Sequence, residues 1–465
     1  MSARFKNVDR NTPMLLPPDL RDWVDEDDLV RFVIEAVDRL PLSDFKVNDR
    51  GTGDRQFPPH MMLSLLIYSY ANGVFSSRKM EQATYRDVAV RYLTGNTHPD
   101  HDTICKFRRE NLAAVSKSFV DVLELATELK LLKLGKISLD GTHIKASASI
   151  DQNVTYERAC EIREQLQLDV KELMAKAEAA DENDEEAQKL PKEIARREKL
   201  AEKMDRAIDE LKERARQRDE KARAEYEEKL IERERKAKET GKKPGGRAPK
   251  PPKTGPENST QQVNLTDADA RIMRKNKRSG FTESYNAQAA VDAEGSQLIV
   301  GEYVSQSASD STELENGVSS VPEELGTPQA VLADAGYVDA DAIERVEKEL
   351  GVEVYCSVHR EDAHNERHYD YRPKKQSERP TKQVKDPRLL AMKSKLQTEE
   401  GKAIYALRNH TVETAFGIIK AVLGFRGFML RGLEKVGGEW ELVCLSYNLK
   451  RLHRLIGEQK GQEVA

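Results

Sequence analysis

Apolar positions in the first 132 residues recur at helical spacing. After a proline-bearing entry, Leu29, Phe32, Val33, Ala36 and Val37 fall three and four apart, which predicts a helix. A loop rich in Gly, Asp and Asn follows at 47–54. The stretch FPPHMMLSLLIYSYANGVF opens on prolines that suit a helix start. Gly73 with Ser76 and Ser77 then predicts a break and a new N-cap. One more long helix is expected after a cap near Asp102 or Thr103. At Lys136 the period shortens to two. ISLDGTHIKASAS predicts a strand, and YNAQAAVD (285–292) and SQLIVGEYVSQ (296–306) predict two more, joined by a turn at 292–295. AVLADAGY (330–337) and VEVYCSV (352–358) are further strands, with the helix-like ADAIERVEKEL between them. Helical spacing returns in TVETAFGIIKAVLGF and in GEWELVCLSYNLKRLHRLI.

Between the first two strands lies a long interruption, 151–263, dominated from 156 to 240 by Glu, Lys, Arg and Ala. Ile194, Ala201, Met204, Ile208, Leu211 and Ala215 form a heptad-like seam, and Ile162, Leu166, Leu173 and Ala177 a weaker one. Two helices folding back at the acidic stretch 181–191 would make a coiled-coil hairpin. A basic, flexible linker at 241–258 would return the chain to the globular part. The expected division is a helical N-terminal domain (1–132), an α/β domain split over 133–150 and 264–460, and the charged insertion 151–263.

Composition fits this division. Charged residues make up 34% of the 465, above the usual quarter, and the insertion carries the excess. A net charge of −5 excludes a uniformly basic DNA-coating protein but leaves room for local basic patches. Cys105, Cys160, Cys356 and Cys444 are far apart and form no C-x-x-C, which argues against a disulfide scaffold and a cysteine zinc site. The N-terminus has no apolar signal core, and the longest apolar stretch, 61–75, is too short and polar to span a bilayer. A cytoplasmic protein with no membrane partner is expected.

Three carboxylates stand out by context. Asp140 lies inside an otherwise apolar strand, where an unpaired charge is costly. Asp334 ends the strand AVLADAGY, and Glu413 lies early in the helix TVETAFGIIK. Carboxylates brought together from strand ends and a helix suit magnesium or manganese, and two such ions can serve phosphoryl transfer. Asp292 and Asp310 compete as metal candidates. DAEG signals a hairpin turn and SASDSTELE a helix start, so turn and cap roles are preferred for them. His359, His364 and His368 lie in a polar segment and are read as a solvated loop rather than a zinc cluster; His143 is left undecided.

The words around the acids resemble bacterial insertion-sequence transposases of the DDE type, in the superfamily with a Tyr-x2-Arg-x3-Glu-x6-Lys signature. Tyr405, Arg408, Glu413 and Lys420 occupy it here, with one extra residue between Arg and Glu. The resemblance extends to DGTHIKASAS, NLTDADARIM, GFTESYNAQAAVD, LADAGY and the tail FRGFMLRGLEKVGGEWELVCLSYNLKRL. It also covers the N-terminal stretch from PPHMMLSLL to CKFRRE. It implies an RNase H-like mixed five-stranded sheet flanked by helices. Asp140, Asp334 and Glu413 would be the catalytic acids and metal ligands, with Mg2+ as cofactor, Mn2+ as its substitute, and two ions in the site. It implies a transposase cutting and joining strands at the terminal inverted repeats of its element. The partners would be double-stranded DNA, as repeat and as target, and a second copy of the chain in a homodimer on the DNA. The bacterial nucleoid would be its location.

Glu413, Phe416 and Lys420 share a helix face. In an unbroken helix Arg408 and Glu413 would point about 140° apart, so a break is expected near 409–411, with His410 or Thr411 as cap. Tyr405, Arg408 and Lys420 are expected at DNA. Basic runs add Arg274, Lys275, Lys277 and Arg278, and Lys106, Arg108 and Arg109 are expected at a groove. Further runs lie in the linker at 242–253 and at 371–388. The alternatives are an inactive DNA-binding relic, a metal-dependent nuclease without strand transfer, and a coiled-coil interaction protein acting through 156–240.

Overall fold

The structure, a computed structural model, describes residues 19–464 except 42, 44, 48–55, 180–188, 241–247, 275–279, 359–383 and 385. Six helices come first: α1 (Leu29–Asp38), α2 (Pro59–Ala71), α3 (Ser77–Arg86), α4 (Val88–Leu93), α5 (His101–Glu110) and α6 (Leu112–Glu128). Asp28 caps α1 through the Val30 amide, and Val30, Val33, Ala36 and Val37 make its buried stripe. α2 starts on Pro59 and is buried nearly all round, because it lies between α1 and the last helix. The cap of α5 is Asp100, which accepts from the Thr103 amide at 2.7 Å, rather than Asp102 or Thr103.

The sheet begins at β1 (Lys136–Lys145). After the short β2 (Asn153–Thr155) come the insertion helices α7 (Tyr156–Ala179) and α8 (Leu190–Thr240), then β3 (Gln262–Asn264) and β4 (Arg271–Met273). The remaining elements are β5 (Thr282–Asp292), β6 (Ile299–Ser305), α9 (Leu314–Ser319), β7 (Ala330–Ala333), α10 (Ala340–Arg345), β8 (Glu353–Cys356), α11 (Pro387–Gln397), α12 (Glu399–Ala406), α13 (Val412–Gly417) and α14 (Leu433–Val464).

The strand order is β6-β5-β1-β7-β8, with β4 beside β6 on the outer edge of β5. β5 and β6 run antiparallel to their neighbours, whereas β1, β7 and β8 are parallel. This is the RNase H-like mixed sheet that the family resemblance implies, plus the short β4. α14 packs on β6 and carries α2 and α6 on its other side. Its Asn448 bonds both the amide and the carbonyl of Ile299, which ties the helix to the sheet's edge strand. Helices α1–α6, the sheet and α14 share one continuous apolar core.

The hairpin has a core of its own. Ala159 and Leu166 of α7 pack with Met204, Ala207, Ile208 and Leu211 of α8, above Val154 and Val263 of the two-stranded neck β2–β3. The predicted seam is thus occupied in its middle. The expected acidic turn lies almost wholly outside the described residues, as do 241–247 of the linker.

Candidate active site

The register of the two central parallel strands carries the acids. Ile137 pairs with Val331 and Ser138 with Leu332. Two residues further along each strand stand Asp140 and Asp334. Side chains two apart lie on one face, and neighbouring strands are about 4.8 Å apart. Asp334 keeps an extended backbone (φ −81°, ψ 177°), so this direction persists past the end of β7. Asp140 and Asp334 therefore leave the sheet side by side. Asp334 also accepts from the Gly336 amide at 2.7 Å, and its carbonyl accepts from the Cys356 thiol at 3.1 Å.

Asp140 has little support. Its carboxylate accepts from the Gly141 amide at 2.9 Å. Burial pushes its carboxyl up to about 7; Arg408 pulls it down, while the charges of Asp334 and Asp310 push it up.

The segment before Glu413 breaks where helix geometry requires. α12 ends at Ala406, a tight 3-10 turn spans Leu407–His410, and Thr411 takes φ −110° and ψ −94° before α13 resumes. Neither expected cap forms: the Thr411 hydroxyl turns back to the Arg408 carbonyl at 3.0 Å, and no side chain caps α13. The break sends Arg408 inward and leaves Glu413 exposed on the first turn of α13, which packs on β1 and β5. Arg408 is 6% exposed, and its guanidinium lies 3.9 Å from Asp334 Oδ2. Burial works against its charge, yet Tyr405, Asp140, Asp334 and Glu413 hold it above the ordinary arginine value. One guanidinium thus lies within the field of all three acids.

Two families match the chain. The Transposase domain (DUF772) family matches residues 18–110, and the Transposase DDE domain family matches 248–449. The chain belongs to the DDE transposases of insertion sequences. The second match includes Asp334 and Glu413 and begins after Asp140. Comparison with curated proteins gave no match, and neither did comparison with solved structures.

DDE transposase domains generally use divalent metal ions. The carboxylates of Asp140, Asp334 and Glu413 are oxygen groups of the kind such ions take, and negative charge crowds around Asp140. Among the described residues, however, no three His, Cys, Asp or Glu side chains are gathered closely enough to hold one ion. Arg408 supplies the positive charge among them instead.

The expected DNA contacts are placed unevenly. Tyr405 donates to the Ala333 carbonyl at 3.3 Å, one residue before Asp334. Lys420 bonds Thr142 and, at 3.2 Å, the His143 carbonyl, so it braces the end of β1. Lys106 and Arg109 are exposed on α5. Arg108 corrects the sequence expectation. It is 4% exposed, donates to the Tyr70 hydroxyl at 2.7 Å and faces Glu439 at 3.8 Å, so no groove can reach it in this structure. Arg274 stacks its guanidinium 4.8 Å over Phe281, while Lys275, Lys277 and Arg278 lie outside the described residues. His359, His364 and His368 also lie outside them. Arg388, in the basic run 371–388, pairs with Asp341, Glu344 and Asp386. No described helix is long and apolar enough to cross a membrane.

Asp292 holds its turn, accepting from the amides of Glu294 and Ser296. Asp310 does not cap its helical turn; Ser309 does. Its carboxylate instead accepts from Asn286 at 2.8 Å and Gln288 at 2.6 Å, next to Gly141. The sequence signal for this was a polar stripe, Ser284, Asn286 and Gln288, at alternate positions of a buried strand.

Proposed function

We propose that this transposase cleaves DNA at the terminal inverted repeats of its own insertion sequence and joins the freed 3′ ends to target DNA. Asp140, Asp334 and Glu413 are the catalytic acids, and Mg2+ or Mn2+, in two sites, is the cofactor. The observation that carries this reading is the β1–β7 register, which brings Asp140, midway along β1, and Asp334, just past the end of β7, out on one face side by side. The placement of α13 against β1 supports the assignment of Glu413.

Bound there, divalent ions would supply a deprotonated oxygen nucleophile near neutral pH and neutralise charge on the leaving oxygen. The chain's own part is to hold the acids. Gly141 donates its amide to Asp140, Gly336 does so for Asp334, and Lys420 fixes the end of β1. Arg408 balances the charge of the acids from its buried place beside Asp334. The basic residues on α5, Lys106 and Arg109, and the run 274–278 grip the DNA backbone, mostly without reading sequence. The N-terminal helices serve DNA binding and assembly, and the active species is a homodimer on the DNA.

The test is cleavage and strand transfer on labelled DNA carrying the element's own termini. The wild type nicks the repeat ends and joins them to a target duplex with Mg2+ or Mn2+. Asp140→Asn, Asp334→Asn and Glu413→Gln each lose more than about 10³-fold, about 4 kcal/mol of barrier. Asp140→Asn with wild-type activity removes the assignment; cleavage without joining leaves a nuclease.

A further inference from the structure

The first four turns of α8 carry an unmixed row of cations. Lys192, Arg196, Lys199, Lys203 and Arg206 are spaced four, three, four and three apart. At about 100° per residue they fall within roughly 80° of the helix circumference, in a row about 21 Å long. All five are exposed, on a face other than the seam of Met204, Ile208 and Leu211 that packs on α7. No acid falls inside the row; Glu198 and Glu202 flank it on one side. Glu210, next in line on the same face, is held by Arg214 at 2.7 Å.

Ion pairing sets the row apart from much of the hairpin. Arg163 pairs with Asp205, Arg197 with Glu193 and Asp169, Arg216 with Glu213, and Lys229 with Glu225. The five cations of the row make no ion pair among the described residues. Like charges three and four apart on a helix repel each other. A polyanion laid along the row turns that repulsion into attraction.

The row also leads to the catalytic domain. Lys203 and Arg206 line a cleft of about 370 Å³ together with Asn264 and Thr266 of the neck and Arg431, just before α14. None of the cleft's lining residues is acidic. Arg431 donates to the Ser147 carbonyl at 2.9 Å. Ser147 stands seven residues after Asp140, so at most about 25 Å of chain separates them. That is roughly seven steps of duplex at about 3.4 Å each. DNA lying at the acids therefore reaches the cleft and continues along the row.

We propose that this row of α8, with Arg431, is a track for the phosphates of duplex DNA, and that the hairpin is an arm holding the element's DNA to one side of the acids. This rests on the reading of the acids as the place of cleavage. The contacts position the duplex without reading its sequence.

Salt-dependent binding of the full chain to a labelled duplex carrying the element's terminus tests it. The variant Arg196→Ala, Lys199→Ala, Lys203→Ala, Arg206→Ala should bind at least tenfold more weakly at about 0.1 M salt. The slope of log affinity against log salt should shrink by about 3–4, near 0.9 per lost contact, and the footprint should shorten on one side by roughly four to six base pairs. A control with as many charges removed, Arg216→Ala, Lys229→Ala, Arg235→Ala, Lys236→Ala, should bind as the wild type does. Wild-type affinity and slope in the first variant overturn the proposal, and so does an equal loss in the control, which would be an effect of net charge alone. Preference of the row for an RNA duplex over DNA overturns it as well. Asp140→Asn keeps the two readings apart: it should bind with the full slope and not cut. If it cuts as the wild type does, the reading of the acids fails whatever the row does. If the fourfold variant does not fold, Lys199→Gln with Lys203→Gln is measured against the same outcomes, with a slope loss of about 2.

Discussion

The N-terminal helices and the insertion hairpin are both helical layers added to one sheet, but they are joined to it differently. Helices α1–α6 share the sheet's core, and their polar contact with it is buried: Tyr70 and Arg108 meet Glu439, which also accepts from the amides of Met429 and Leu430. The hairpin packs on itself above a three-residue neck of β-ladder, and its ion pairs, such as Arg216 with Glu213, face water. The first layer should therefore melt with the sheet and the second apart from it.

The strongest test of that difference is Glu439→Ala. It strands a buried guanidinium and two amides, and a broken buried pair typically costs about 3–5 kcal/mol. Urea unfolding should show the loss in a transition that α1–α6 and the sheet share; a separate N-terminal transition would dissolve the contrast. Leu211→Ala removes a buried side chain from the hairpin, with a local cost of about 2–5 kcal/mol. Hydrogen exchange should quicken across α7 and α8 while the main transition stays in place.

A smaller effect is pH-dependent. Glu302 on β6 and Glu441 on α14 lie close together where sheet and helix meet, and burial pushes both carboxyls up. A raised acid in the folded state holds its proton to higher pH than the unfolded chain does. Its stability cost is absent below the ordinary glutamate range and grows as pH rises toward the folded value. Glu302→Gln should raise the melting temperature by about 2–4 °C at pH 8, roughly 1 kcal/mol for a large chain, and by nothing measurable at pH 4. The smallest effect is at the hairpin surface, where Arg216→Ala should leave every transition unchanged.

What the sequence disclosed follows the reach of its signals. The alternation around Asp140, the strand before Asp334 and the helix break at 409–411 are local patterns, and the structure carries each. The seam of α8 was legible because it repeats. Arg108 was misread because its acceptors, Tyr70 and Glu439, are 38 and 331 positions away, and on α5 alone it looks like Lys106 and Arg109. Asp310 was read as a cap because SASDSTELE is a good helix start; its real partners are two strand amides, 24 and 22 positions away. The neck strands β2 and β3 have three residues each, too few to show a period.

The Tyr70–Glu439 bond spans 369 positions. At about 5–20 residues per second, a ribosome needs roughly 20–70 s to travel that distance. Throughout that interval Arg108 can close on Tyr70 and the Phe75 carbonyl, but neither the Tyr70 hydroxyl nor the Arg108 charge has Glu439 to meet. The N-terminal layer therefore keeps an open polar centre until Glu439 has been made, and a message cut short before that position yields a chain in which the centre never closes.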